Sequence, residues 1–154
     1  MASPLPVSGA IVFVDTGVLL AADDAHDSVA QARAREWLQA LWQGRAGRVS
    51  TQVLNAYYVA ATQTFGMPQG DARAKLRRLQ LWQPWQVDHR TLETAWGVEA
   101  RFGLPYWDAL MVASAAQSGA SHVLTTVLPH QQQIDSVTIV NPLLMAPAEL
   151  ALAD

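Results

Sequence analysis

The chain has 154 residues, of which 51% are hydrophobic and 15% charged, with a formal net charge of −3. That length suits one domain burying roughly 70% of its unfolded surface, and the composition excludes a disordered chain. The charge excludes a strongly electrostatic, non-specific nucleic-acid binder, and the lack of cysteine excludes a disulfide framework, a thiolate zinc site and thiol catalysis.

The start, Met1 to Gly9, carries no basic stretch and no long apolar run, so a signal peptide is not expected and residues 1–10 are read as a flexible tail. No segment approaches the ~20 apolar residues that cross a bilayer, and a soluble, cytoplasmic protein is expected. Ile11 to Val14 is wholly apolar and ends at Asp15, as in a buried parallel strand. From Ala30 the residues Ala34, Trp37, Leu38 and Leu41 recur at helical spacing, stopping near Gly44.

Val49 opens a very short second strand. Leu54, Tyr57, Tyr58, Ala61 and Phe65 form the next helical stripe, closed by Gly66 and Pro68. Ala72 to Trp82 reads as a basic helix broken by Pro84, with a brief strand expected near Gln86 and Val87. Leu92, Ala95, Trp96 and Ala100 give another helical face, ended by Gly103 and Pro105. Tyr106 to Gln117 is nearly all apolar, which predicts a helix buried on most sides. His122–Thr125 and Val137–Val140 are strand candidates, with Asn141 and Pro142 ending the last. Alternating strands and helices predict one α/β domain over 11–145 with a short, mostly parallel sheet between helical layers, followed by a tail over 146–154.

In such sheets ligands sit beyond the carboxyl ends of the strands, where Asp15 stands. Asp108 opens a buried helix, whose dipole favours a carboxylate. Each also has a plain reading, Asp15 as a helix cap and Asp108 as an acid of the first turn. The basic groups Arg73, Lys75, Arg77 and Arg78, and Arg33, Arg35, Arg45 and Arg48, read as solvated helix faces. Trp82, Trp85, Trp96 and Trp107 are base-stacking candidates, but Trp96 and Trp107 fall on core stripes. Asp23 and Asp24 are expected to face solvent, and His130 to be a structural loop histidine.

The segments Phe13-Val-Asp-Thr-Gly-Val-Leu-Leu20, Ser50-Thr-Gln-Val-Leu-Asn55, Tyr106-Trp-Asp-Ala-Leu-Met-Val-Ala113 and Val137-Thr-Ile-Val-Asn-Pro142 occur in that order. Together they resemble the PIN-domain family, and in particular the VapC-like toxin ribonucleases, over Ile11 to Leu143. The resemblance implies a Mg2+- or Mn2+-dependent endoribonuclease that acts on RNA, forms a homodimer and pairs with an antitoxin protein. Asp15 and Asp108 match two family acids and are implied as catalytic and metal-binding residues. Two further acids are replaced, by Ala56 and Val127. No Asp or Glu lies between Trp37 and Gly70 or between Ala109 and Ile134 to take their place. Thr16, Thr51, Asn55, Thr125 and Thr126 offer neutral oxygens, and Gly17 stands where the family usually has asparagine. Two carboxylates suffice for one partly hydrated Mg2+ but not for a two-ion clamp, so weakened or lost cleavage is expected, with an RNA- or protein-binding module as the alternative.

A dehalogenase-like phosphatase needs a second acid two residues after Asp15, where Gly17 stands. No glycine-rich phosphate loop follows a strand.

Overall fold

Val12–Val14 (β1) is fully buried and lies inside the sheet, flanked on one side by Gly47–Arg48 (β2) and on the other by His122–Leu124 (β3). The computed structural model describes residues 9–152. Beyond β3 come Val137–Val140 (β5) and Gln133–Ile134 (β4), so the strand order is β2-β1-β3-β5-β4, parallel except for β4. β4 was not anticipated, since two residues show no alternation. It forms because a two-residue turn at Asp135 and Ser136, with Asp135 at φ 52°, folds the chain back onto β5.

The helices are α1 (Thr16–Ala21), α2 (Ser28–Gly44), α3 (Thr51–Val59), α4 (Gln69–Leu79), α5 (His89–Phe102) and α6 (Tyr106–Gln117). α2 turns Ala34, Trp37 and Leu41 inward, and α6 buries every residue from Ala109 to Ala115, as its uniform apolarity demands. α3 runs on into a π-helical turn over Ala60–Thr64. α5 starts at a capping box in which Asp88 accepts from the Thr91 amide, and Gly103 ends it at φ 66°.

The expected face of α5 was misplaced. Its buried stripe is Thr91, Ala95 and Val98, which leaves Trp96 half exposed and Ala100 outside. The strand expected near Gln86 is a single bridge between Ser50 and Trp85, because Pro84 has no amide to give; Trp85 donates to Val49 O and accepts from Thr51 N, both at 2.9 Å.

Residues 1–8, most of the expected N-terminal tail, lie outside the described residues. Residues 146–152 fold back onto the domain rather than trailing from it. Pro147–Glu149 makes a 3-10 turn, the Trp37 indole donates to Met145 O just before it at 2.9 Å, and Leu152 bridges to Ala10. Among the described residues no helix is long and apolar enough to cross a membrane.

Both sheet edges are two residues long, which limits pairing with other chains. The β2 edge is also covered by Trp82, packed so closely that a Cβ on Gly47 would lie 2.5 Å from the indole ring. Gly47→Ala is therefore expected to lower stability by about 1–3 kcal/mol, the usual result of overpacking, and denaturant melts of the two proteins will measure it.

Candidate active-site cleft

β1 delivers Asp15 to the carboxyl edge of the sheet, where its backbone leaves the strand at φ −75°, ψ 154° and starts α1. The Thr16 amide donates to Asp15 Oδ1 at 2.7 Å, so the carboxylate is a helix cap. It is more than a cap. The Thr125 hydroxyl, from the end of β3, donates to Asp15 Oδ2 at 2.7 Å. Thr125 is itself fully buried, with its amide bonded to Val140 O and its hydroxyl accepting from Val127 N at 3.2 Å. Three strands thus fix one carboxylate.

Asp15 and Asp108 line the same cleft, of about 610 Å³, together with Thr16, Thr51, Asn55 and Ala56. Asp108 comes from the first turn of α6 and makes no hydrogen bond among the described residues, although the turn's free N–H groups favour its charge. Burial pushes the Asp15 carboxyl above the ordinary carboxylate range; its two hydrogen bonds pull the other way, and the Asp108 charge adds to the rise. Burial also raises Asp108. Among the described residues no lysine or arginine lines the cleft to balance them. Two carboxylates on one cleft without a counter-ion make it a place that could hold a cation.

Which cation is set by the donors. Asp15 and Asp108 are hard oxygen ligands, and Asn55 donates to Thr51 O at 2.9 Å, which leaves its own side-chain oxygen available. Among the described residues no group of three or more His, Asp or Glu is arranged around one point. The set fits a single hard ion that keeps several waters, as Mg2+ does, and does not fit a pair of ions.

Ala56 presents its methyl to the cleft. Val127 and Thr126 are exposed at the end of β3 but are not among the residues that line it. Gly17 faces open space, with no atom within 4 Å of where a Cβ would stand, and belongs to a different depression. Asp23 does not face solvent as expected: it accepts from the Tyr57 hydroxyl at 2.6 Å and pairs with Lys75, tying the end of α1 to α3 and α4. That contact and burial push the Tyr57 hydroxyl above its ordinary range. His130 does take a structural part, accepting from the Asn141 amide at 2.9 Å.

Two cleft residues escaped the sequence reading. Trp107, expected in the core, is 66% exposed and forms part of the cleft wall, with Tyr106 edge-on to it at 5.3 Å. Gln52 donates to Trp107 O at 3.2 Å and so joins α3 to α6, while its own side-chain oxygen is buried without a partner. The position of Trp107 directly before Asp108 was the available signal, since residues of a first helical turn project past the core they precede.

Compared with protein families, residues 12–126 match the PIN domain. No curated protein sequence matches the chain. Among solved structures it is similar to the sarcin–ricin-loop-cleaving toxin VapC20 of Mycobacterium tuberculosis, at 21% identity and TM-score 0.55 over 73% of this chain and 86% of that one. A toxin–antitoxin complex from Klebsiella pneumoniae is similar at 17% identity and TM-score 0.65, covering 85% of this chain and 97% of that one. VapBC2 from Rickettsia felis, bound to a DNA fragment from its promoter, matches at 12% identity and TM-score 0.55, over 84% and 96%. At these identities the likeness is one of fold.

The Thr125–Asp15 bond has a pH-dependent consequence. Because Asp15 is raised on folding, its ionisation opposes the folded state as pH climbs past the ordinary carboxylate range, and the Thr125 hydroxyl offsets part of that. Thr125→Val is expected to leave stability little changed near pH 3, where the acid is neutral. At about pH 7 in EDTA the variant should be less stable by about 1.5–3 kcal/mol, as for a hydrogen bond to a charged group, read from denaturant melts at both pH values.

Proposed function

Because the chain belongs to the PIN-domain family, we propose that it acts on RNA as a VapC-like, Mg2+- or Mn2+-dependent endoribonuclease whose cleavage is weakened or lost. The observation that carries this reading is the placing of Asp15 and Asp108 on one cleft at the carboxyl edge of a parallel sheet. The structural neighbours include a toxin described as cleaving the sarcin–ricin loop, which supports RNA as the substrate class.

Asp15 and Asp108 would hold the ion, with Asn55 and Thr51 as neutral neighbours. Such an ion neutralises charge on the scissile phosphate and activates a water. The protein's own part is to hold Asp15 in one rotamer through Thr125 and Thr16, and to leave Asp108 free of protein hydrogen bonds. Trp107 supplies an exposed ring beside the acids on which a base can stack. Ala56 removes an acid from the cleft wall, and the loss of a metal ligand or base of this kind lowers rate by roughly 10²- to 10⁴-fold.

A second reading, an RNA-binding module that does not cut, is favoured by the same methyl. With fewer acids the cleft repels phosphate less when no ion is present. An antitoxin protein and a second copy of the chain are proposed as partners, on the likeness to a toxin–antitoxin complex and to the VapC family.

Purified protein is to be incubated with structured and single-stranded RNA in Mg2+ and Mn2+, beside Asp15→Asn made identically. Slow, metal-dependent cleavage that Asp15→Asn abolishes is expected under the first reading; cleavage that survives in the variant would be contamination. No cleavage by folded protein supports the second reading. Since Ala56 lines the cleft and Val127 does not, Ala56→Glu alone is expected to restore most of the recoverable rate, and Val127→Asp little. Trp107→Ala is expected to weaken RNA binding by about 1–3 kcal/mol, as for a lost stacking partner, and Trp107→Phe by less; anisotropy titrations in EDTA will measure both.

A further inference from the structure

A second cavity, of about 570 Å³, opens beside the edge strand β2, and none of its wall is shared with the acidic cleft. Trp42, Trp82 and Trp85 line it together with Arg45 and Arg48. Among the described residues no carboxylate lines it, and neither arginine makes an ion pair. Arg48 donates only to the Arg45 and Gly47 carbonyls, at 3.4 and 2.8 Å, which leaves most of its guanidinium free. Arg78 stacks over Trp42 at 4.9 Å but lines a neighbouring depression rather than this one. Side-chain contacts of Trp42 with Arg78 and Trp82 thus bring near one another two basic stretches that read as separate solvated faces in the sequence.

The aromatic part is rigid. Trp42 and Trp82 pack at 4.8 Å, and the Trp85 indole donates to Thr91 at 2.9 Å. The Trp82 side chain is more than nine-tenths buried, yet its indole N–H has no partner. A buried donor without an acceptor is uncommon and costs stability. Guanidinium groups without acids beside indole rings call for a ligand with negative oxygens and flat, polar-edged rings. A nucleotide strand has both.

The cavity also lies close to the cleft along the chain. Trp85 lines the former and Val87 the latter, and two residues span at most about 7 Å. We propose that this basic, tryptophan-lined cavity binds a single-stranded segment of RNA outside the cleft, phosphates on Arg45 and Arg48 and bases against the partly exposed indoles of Trp42 and Trp85. The inference rests on the reading of the chain as an RNA-acting protein, but not on its cutting.

The test is anisotropy of a fluorescein-labelled single-stranded oligoribonucleotide in EDTA over a range of salt. Arg45→Gln combined with Arg48→Gln is expected to weaken binding about tenfold or more. At roughly 0.7 per phosphate contact, it should also flatten the slope of log affinity against log salt by about 1.4. Arg45→Lys with Arg48→Lys keeps the charges and should keep most of that slope, which separates phosphate binding from a structural role of the arginines. The titrations run in EDTA, where metal-dependent cleavage does not proceed, so an inactive cleft leaves the result standing. A 4-thiouridine oligonucleotide should crosslink to the peptide carrying Trp82 and Trp85 in the parent protein, a readout that needs no variant to fold. Unchanged affinity and slope in folded Gln variant, or competition by polyglutamate as strong as by RNA, overturns the proposal; the latter would assign the face to an acidic protein.

Discussion

The carboxylate of Asp15 is the point on which fold and site both turn. It caps α1 through Thr16, takes the hydroxyl of Thr125 from the end of β3, and lines the same cleft as Asp108. A carboxylate moved out of water is stable only if hydrogen bonds or a counter-charge replace its hydration. Here the hydrogen bonds are present and the counter-charge is not supplied by the protein, so burial still raises the group. That unresolved balance is one that a bound cation would relieve.

The same balance bears on the replaced acids. Each carboxylate added to such a site strengthens its hold on a divalent ion and, without the ion, its repulsion of phosphate. With Ala56 in the wall, both effects shrink together. A cleft with two acids holds its ion less tightly, yet it presents less of a barrier to an RNA backbone when the ion is absent. Under the proposed function, binding and cutting, which a full set of acids makes interdependent, would become separable.

The parallel sheet and the helix positions were legible because each rests on local pattern, whereas Asp15 and Asp108 were brought together by the four ordered segments that resemble the family, not by local pattern. Val12–Val14 is a continuous apolar run, and Tyr106–Gln117 has no polar face. The tryptophans were not legible. Trp96 and Trp107 sit on helical apolar spacing, yet the first lies one position beyond the buried stripe of α5 and the second precedes the buried run of α6; both are exposed. Trp82, read as a base-stacking candidate at the end of a basic helix, is buried against Gly47. Helical periodicity fixes which residues share a face, not where the neighbouring element stops covering it. Asp23 was misread for a related reason: its partners Tyr57 and Lys75 come from helices far along the chain.

The edge of the sheet at β2 shows how one local choice serves two ends. A two-residue strand needs cover, and Gly47 lets Trp82 approach closely enough to give it. Seating Trp82 there draws the end of α4 against the end of α2, and with it Arg78 against Trp42, beside Arg45 and Arg48. The chain then leaves this corner through Trp85, which bridges to Ser50, the cap of α3, and reaches the cleft at Val87. The positive corner and the negative cleft are therefore joined by a short stretch pinned at both of its backbone hydrogen bonds. A strand of RNA lying along that stretch meets positive charge first and the acids second, an order that would draw phosphate toward the cleft even when the acids alone would turn it away.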